Sequence, residues 1–150
     1  MTPRVALLDV NLLVALFFAD HVHHDLAHDW FEDHRRHGWA TCPITENGFV
    51  RVACRQPSAD GPLRPEVAVE LLARFRRDRA HHSWTDAVSL TDDTLFASQF
   101  IRGHAHVTDV YLLGLAQRMG GCLATFDRSI PREAVRGAAR GTLQVIAAAE

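Results

Sequence analysis

The chain has 150 residues, 47% of them hydrophobic, and a formal net charge of −2 at pH 7. This size and apolar content predict a single compact domain, residues 1–150, with a buried core. The apolar stretch near residues 5–18 is interrupted by Asp9 and Asn11 and is shorter than the ~20 residues of a membrane span, so no membrane association is expected. No basic segment precedes it and no small-residue cleavage site follows it, which favours a cytoplasmic protein over a secreted one.

The charged residues and cysteines exclude some chemistry. All sixteen basic residues are arginine, so no mechanism that needs a catalytic lysine applies. A net charge of −2 carries no overall nucleic-acid signature, and any nucleic acid would have to be bound by local patches. Cys42, Cys54 and Cys122 are odd in number and lack CxxC spacing, which predicts reduced thiols in or near the core.

Apolar runs and turn residues predict strands that alternate with helices along the chain. The predicted strands cover about residues 5–8, 39–42, 82–84, 122–126 and 143–146, and the predicted helices about residues 11–19, 25–37, 44–54, 65–78, 93–101 and 108–119. Gly38 and Gly120 follow two of these helices, as glycine does at helix C-termini. This alternation predicts an α/β fold with a parallel sheet.

Four acidic residues stand where predicted strands end or helices begin. Asp9 and Asp127 directly follow strands, whereas Glu46 and Asp109 lie in first turns of helices. In a parallel sheet with right-handed crossovers these junctions open on one edge, so the four side chains are expected to converge. Clustered carboxylates repel one another without a cation. An all-oxygen set favours Mg²⁺ or Mn²⁺.

Each acid also has a plainer interpretation. Asp9 fits the N-cap of the following helix. Asp109 beside Thr108 fits a helix start, where a negative charge is favourable by about 0.3–1 kcal/mol. Glu46 fits an ordinary first-turn acid, and Asp127 fits the start of a turn. The occurrence of all four at one predicted edge favours the metal site.

Four segments carry a resemblance to a known family. They are LLDVN at 7–11, TENGFVR at 45–51, HVTDVYLLGLA at 106–116 and LATFDRS at 123–129. They resemble the four motifs of a PIN-domain ribonuclease, and their order and spacing are most similar to the VapC toxins of bacterial toxin–antitoxin pairs. The resemblance spans nearly the whole chain and implies a three-layer α/β/α fold with a parallel sheet in the order 3-2-1-4-5.

The resemblance also implies a chemistry and its residues. It implies metal-dependent hydrolysis of phosphodiester bonds in structured RNA, such as tRNA or ribosomal RNA, by a Mg²⁺- or Mn²⁺-dependent endoribonuclease. The implied catalytic, metal-binding acids are Asp9, Glu46, Asp109 and Asp127. The residues that orient metal ligands or water would be Asn11 and Thr125.

The implied partners are an RNA substrate, a second copy of the chain in a homodimer, and a cognate VapB-type antitoxin. In the family the antitoxin's C-terminal segment lies along the toxin groove and often sends an Arg into the acid cluster. Arg51 and Arg55 follow Glu46 on one predicted helix and are expected to contact the RNA backbone. Phe17 and Phe49 either line the antitoxin groove or belong to the core.

Two further clusters leave alternatives open. His21, His23, His24 and His28 form either a transition-metal site, with His24 and His28 one helical turn apart, or an ordinary surface group, and the second interpretation is favoured. Four arginines, Arg74, Arg76, Arg77 and Arg79, either bind RNA or form a solvated helix C-terminus, and again the second is favoured.

Other protein classes also place an Asp after the first strand. A haloacid-dehalogenase-like phosphatase expects an Asp at position 11, where this chain has Asn11, and also expects a lysine. A receiver domain also expects a lysine, so the absence of lysine argues against that class too. A binding module whose acids are purely structural remains the non-enzymatic alternative.

Overall fold

The computed structural model describes residues 4–57 and 59–148. The strands are β1 (Ala6–Leu8), β2 (Trp39–Thr41), β3 (His81–Ser83), β4 (Cys122–Thr125) and β5 (Leu143–Val145). The α-helices are α1 (Val10–Phe17), α2 (His24–His34), α3 (Pro43–Ala53), α4 (Pro65–Phe75) and α5 (Val107–Arg118).

All five strands pair in parallel, in the order β3-β2-β1-β4-β5. The predicted α/β class and the 3-2-1-4-5 order are therefore confirmed. The central strand β1 lies between β2 and β4, and all three are buried along their whole length. Short continuous apolar runs are what a strand covered on both faces requires.

The two faces of the sheet are covered by different helices, which confirms the three-layer arrangement. Successive strand residues point to opposite faces. Leu8 accordingly packs in a core formed with α1 to α4, while its neighbour Leu7 packs in a second core formed with α5. In the described part of the chain, no helix is both long and apolar enough to cross a bilayer.

Glycine and proline set several helix boundaries, and the two glycines do so as predicted. Gly38 ends the helical segment after α2 with φ of +94°, and Gly120 follows α5 with φ of +71°. Both angles lie in the left-handed region, where glycine avoids the clash of a Cβ. Pro43 and Pro65 occupy first-turn positions of α3 and α4, where the missing N–H is not needed.

The predicted helix over residues 93–101 is wrong. The carboxylate of Asp92 accepts hydrogen bonds from the backbone N–H of Thr94 (3.0 Å) and from its hydroxyl (2.6 Å), which forms a tight turn. Phe96 then forms an antiparallel bridge with Val135. The backbone groups of this segment are used by turns and by a distant chain segment, so no α-helix forms and only Ser98–Phe100 makes a single 3-10 turn.

Gly114 provides a test of the packing between α5 and the connection that precedes it. A Cβ at Gly114 would lie 2.2 Å from the ring of Phe96, which is only 2% exposed. Helix propensity alone favours alanine by about 1 kcal/mol. We nevertheless expect Gly114→Ala to lower the free energy of unfolding by about 1–3 kcal/mol, because the ring has nowhere to move.

Urea denaturation measures this difference, with Gly141→Ala as the control. A Cβ at Gly141 would meet only Arg4, at 3.6 Å or more, which is an ordinary contact. An unchanged or higher free energy of unfolding for Gly114→Ala would show that Phe96 is not held where the structure has it.

Candidate active site

Asp9 is a buried carboxylate at the carboxyl end of β1. Asp9 is the N-cap residue of α1, and its Oδ1 accepts a hydrogen bond from the backbone N–H of Leu12 at 2.8 Å. Its own N–H donates to the carbonyl of Ala124 in β4 at 3.2 Å. The capping interpretation is therefore correct for one oxygen. It does not account for a charged group that is only 6% exposed.

The surroundings of Asp9 oppose its ionisation. The pKa of Asp9 is raised from the ordinary 3.8 to about 6, mainly by burial and to a smaller extent by the charges of Asp109 and Asp127. Hydrogen bonds from the Thr125 side chain and from the Leu12 backbone act in the opposite direction. A carboxylate in this environment is stabilised in its charged form by a nearby cation.

Asp109 and Asp127 lie within electrostatic range of each other. Burial raises the pKa of Asp109, and the charge of Asp127 adds to that effect. The pKa of Asp127 is lowered, first because Ser129 donates hydrogen bonds to Oδ1 from its hydroxyl (2.6 Å) and its backbone N–H (2.8 Å). Nearby His106 lowers the pKa of both acids.

Thr125 connects the acids at the centre of the sheet edge. It is the last residue of β4 and is completely buried. Its hydroxyl accepts the backbone N–H of Asp127 at 3.0 Å, and its side chain also hydrogen-bonds Asp9. Thr125 is thus situated to fix the Asp9 carboxylate and the backbone of Asp127.

Glu46 is in the first turn of α3, as predicted, but its contacts are with β2 and α4. Its Oε2 accepts the hydroxyl of Thr41 at 2.7 Å and forms an ion pair with Nε of Arg76 at 3.3 Å. The structure places Asp9, Asp109 and Asp127 close enough for their charges to interact. Glu46 is held apart from them by its own two partners, Thr41 and Arg76.

The acid set can be compared with the requirements of a divalent cation. Among residues 4–57 and 59–148, no three acidic, His or Cys side chains converge closely enough to hold an ion as they stand. The donor chemistry still fits a hard cation, since Asp9, Asp109 and Asp127 supply only oxygens. The charges of Asp109 and Asp127 also raise the pKa of Asp9, and the charge of Asp127 raises that of Asp109. Binding would have to draw these side chains closer together.

The other predicted site residues lie at the surface. Asn11 is exposed in the first turn of α1, and its side chain makes no hydrogen bond with the described residues. Arg51 and Arg55 are exposed at and just after the end of α3, and neither forms an ion pair within the described ranges. Both guanidinium groups are therefore accessible to a phosphate.

The histidine cluster has a structural role at its helix end. His24 Nδ1 lies 2.7 Å from the carbonyl oxygen of Ala15, and His28 Nε2 lies 2.8 Å from that of Leu16. A carbonyl only accepts, so both ring nitrogens carry hydrogen and donate to the last turn of α1. Among the residues that the structure describes, no three His, Cys or acidic side chains are placed to hold a metal ion, which supports the surface interpretation over the metal site.

The aromatic residues considered for an antitoxin groove are largely core. Phe49 is fully buried, and Phe17 packs against it with ring centroids 4.8 Å apart. Phe17 also contacts the edge of Phe75, at 5.0 Å. The core interpretation therefore fits Phe49, whereas Phe17 is only partly buried against the core and its place in an antitoxin groove stays a prediction.

Several residues at the site were not predicted from the sequence. Ser129 and His106 hydrogen-bond each other at 3.0 Å beside Asp127. Ser129 could have been found, because a Ser two residues after an Asp is a common turn signal. Arg76 carried no such signal, because its ion pair joins the residue after α4 to the first turn of α3, and such a pairing leaves no local pattern in the sequence.

Comparison with known proteins agrees with this geometry. The model of the PIN domain family matches residues 6–135. The chain is 43% identical to Ribonuclease VapC44 of Mycobacterium tuberculosis over 141 residues, which is 94% of this chain and 99% of that protein. It is 39% identical to Ribonuclease VapC39 of the same species over 132 residues, 88% of this chain and 95% of that protein. The chain therefore belongs to the PIN-domain family and, within it, to the VapC ribonucleases.

Proposed function

We propose that this protein is a divalent-metal-dependent endoribonuclease that hydrolyses phosphodiester bonds in structured RNA, either tRNA or ribosomal RNA. The observation that carries the proposal is the buried Asp9 carboxylate, whose pKa is raised to about 6 beside Asp109 and Asp127. Such a group ionises in the folded protein only at a cost in free energy, which a bound cation would offset. Membership of the VapC ribonucleases supplies the reaction class.

In the proposed mechanism Asp9, Asp109 and Asp127 would hold one Mg²⁺ or Mn²⁺. Glu46 would help to hold a second ion or position the attacking water. A bound cation would lower the pKa of that water and offset negative charge on the phosphate oxygens. The water oxygen adds to the phosphorus and loses its proton to solvent, while the bond from phosphorus to one ribose oxygen breaks and that oxygen takes up a proton. The products are a phosphate end and a hydroxyl end, and no protein nucleophile is required.

The remaining residues of this mechanism orient the acids and bind the substrate. The hydroxyl of Thr125 and the N–H of Leu12 fix Asp9, while Ser129 fixes Asp127. In this proposal Asn11 orients water at the mouth of the site. Arg51 and Arg55 bind RNA phosphates, for which the planar guanidinium is well suited.

We further propose that the protein works as a homodimer and is neutralised by a cognate VapB-type antitoxin. This part rests on the likeness to the VapC ribonucleases. An antitoxin Arg that enters the acid cluster would supply the positive charge that the cation otherwise provides. It would thus satisfy the buried Asp9 and exclude the cation together.

Replacing Asp9 tests the nuclease directly. Asparagine retains the oxygen that caps α1, so Asp9→Asn is expected to fold normally. Cleavage of total RNA in the presence of Mn²⁺ should fall by about a hundredfold or more, since even residues that only support metal ligands are worth roughly 10–100-fold.

Gel analysis of the RNA measures this loss, with EDTA-treated protein and Asp33→Asn as controls. Asp33 is an exposed acid on α2, so its replacement should leave cleavage unchanged. Cleavage by Asp9→Asn at the wild-type rate would exclude a metal nuclease at this site and would favour the binding-module alternative.

Without metal, the ionisation of Asp9 should destabilise the fold. Because its pKa is higher in the folded state than the ordinary 3.8, the folded state binds more protons between pH 3.8 and about 6. The contribution of Asp9 therefore lowers the free energy of unfolding as the pH rises through this window, by up to about 3 kcal/mol.

Urea denaturation in EDTA at a series of pH values separates this contribution from those of other groups. We expect the curves of wild type and Asp9→Asn to diverge above pH 4, with the variant more stable at pH 8. Parallel curves would mean that Asp9 ionises in the folded state as easily as in water.

The arginines assigned to RNA are testable through salt dependence. Arg51→Ala and Arg55→Ala should each raise KM several-fold, leave kcat nearly unchanged, and reduce the slope of log affinity against log salt by about 1. Arg36→Ala is the matched control. Arg36 is exposed just before β2, at the opposite edge of the sheet from the acids. An equal effect in Arg36→Ala would indicate general charge attraction instead of a local contact.

A further inference from the structure

Both contacts of the Glu46 carboxylate fall on the same oxygen. Oε2 accepts the hydroxyl of Thr41 at 2.7 Å and lies 3.3 Å from Nε of Arg76. Within the described residues, Oε1 has no hydrogen-bond partner, although the side chain is only 21% exposed. One oxygen is therefore held by the protein and the other is left for a ligand or water.

The two groups that hold Oε2 are themselves fixed. Arg76 follows the end of α4, and its Nη2 donates to Oγ of Ser83 in β3 at 3.2 Å. The guanidinium thus bridges Ser83 and Glu46. Thr41 is completely buried, and its Oγ1 also lies 2.8 Å from Nε2 of His81. Since the Thr41 hydroxyl donates to Glu46, His81 donates to Thr41.

We propose that Arg76 and Thr41 are positioning residues for Glu46, which hold Oε2 so that Oε1 is presented to the second divalent ion or to the attacking water. This inference rests on the proposed nuclease function and adds residues to it. It also gives Arg76 a role that its neighbours in the arginine cluster do not share. Arg74 forms an ion pair with Glu70 at 2.9 Å, and Arg77 has no side-chain hydrogen bond or ion pair within the described residues.

Two other roles for Arg76 predict different results. If Arg76 were only a nearby positive charge that competes with metal, its removal would strengthen Mn²⁺ binding, because like charges repel. If Arg76 bound RNA, its removal would raise KM and leave metal binding unchanged. Positioning predicts weaker Mn²⁺ binding and a lower kcat with little change in KM.

The experiment compares Arg76→Met, Arg76→Lys and the matched control Arg77→Met. Calorimetric titration of the RNA-free full chain with Mn²⁺ measures the metal sites, and cleavage of tRNA or ribosomal RNA, whichever the protein cuts, measures kcat and KM. We expect Arg76→Met to lower the Mn²⁺ affinity of one site by roughly tenfold and to lower kcat by roughly tenfold as well. Arg76→Lys should behave similarly, since lysine lacks the fork that spans Glu46 and Ser83. Arg77→Met should match the wild type.

A double-mutant cycle shows whether Arg76 acts through Glu46. In the Glu46→Gln background, Arg76→Met should cause almost no further loss of Mn²⁺ binding or kcat, because the group that it positions is already gone. Additive losses would overturn the proposal, as would stronger Mn²⁺ binding by Arg76→Met in the wild-type background.

Thr41 is tested by replacements that keep its volume or its hydroxyl. Thr41→Val should reproduce the loss of kcat and of Mn²⁺ affinity, whereas Thr41→Ser should restore both, with circular dichroism as the check of folding. Equal losses in the two variants would indicate a packing effect and would overturn the role of the hydroxyl.

The failure of this proposal can be told from failure of the proposed function. Wild-type protein that neither binds Mn²⁺ nor cuts RNA would overturn both. Wild-type protein that does both, with Arg76→Met indistinguishable from Arg77→Met, would overturn the positioning role alone.

Discussion

The arrangement of the site depends on one unfavourable interaction, the burial of a carboxylate at the end of the central strand. Asp9 cannot move away from the sheet edge, because its backbone is hydrogen-bonded to β4 and its Oδ1 caps α1. The same side chain therefore caps α1 and places a carboxylate in the protein interior. Burying that charge lowers the stability of the fold, and such a conflict between stability and activity is typical of functional sites.

The fold was largely predictable because its elements are encoded locally. The strands β1 and β4 are short apolar runs that end at an acid or a polar turn, and Gly38 and Gly120 end helices with positive φ. The segment 93–101 was not predictable in the same way. The Asp92 side chain stabilises a local turn at its start, but the bridge from Phe96 to Val135 depends on residues far away in the chain.

The site was predictable in its location and only partly in its detail. Backbone geometry sends strand-end residues to one edge, so the proximity of Asp9, Asp109 and Asp127 follows from topology. The direction of the Glu46 side chain does not follow from topology, because it is set by Thr41 in β2 and by Arg76 just after α4. Side-chain partners across elements carry no periodic signal in the sequence.

The contact of Phe96 with Gly114 on α5 has a consequence for how this domain can diversify. The chain is anchored there, and it is anchored again when α5 begins at Val107, just before Asp109. The intervening residues 98–106 are mostly exposed, and His106 at their end lies beside Asp127. Insertions or deletions between these two anchors would change the surface next to Asp127 without moving the carboxylates, so new specificities could arise there while the chemistry stays constant.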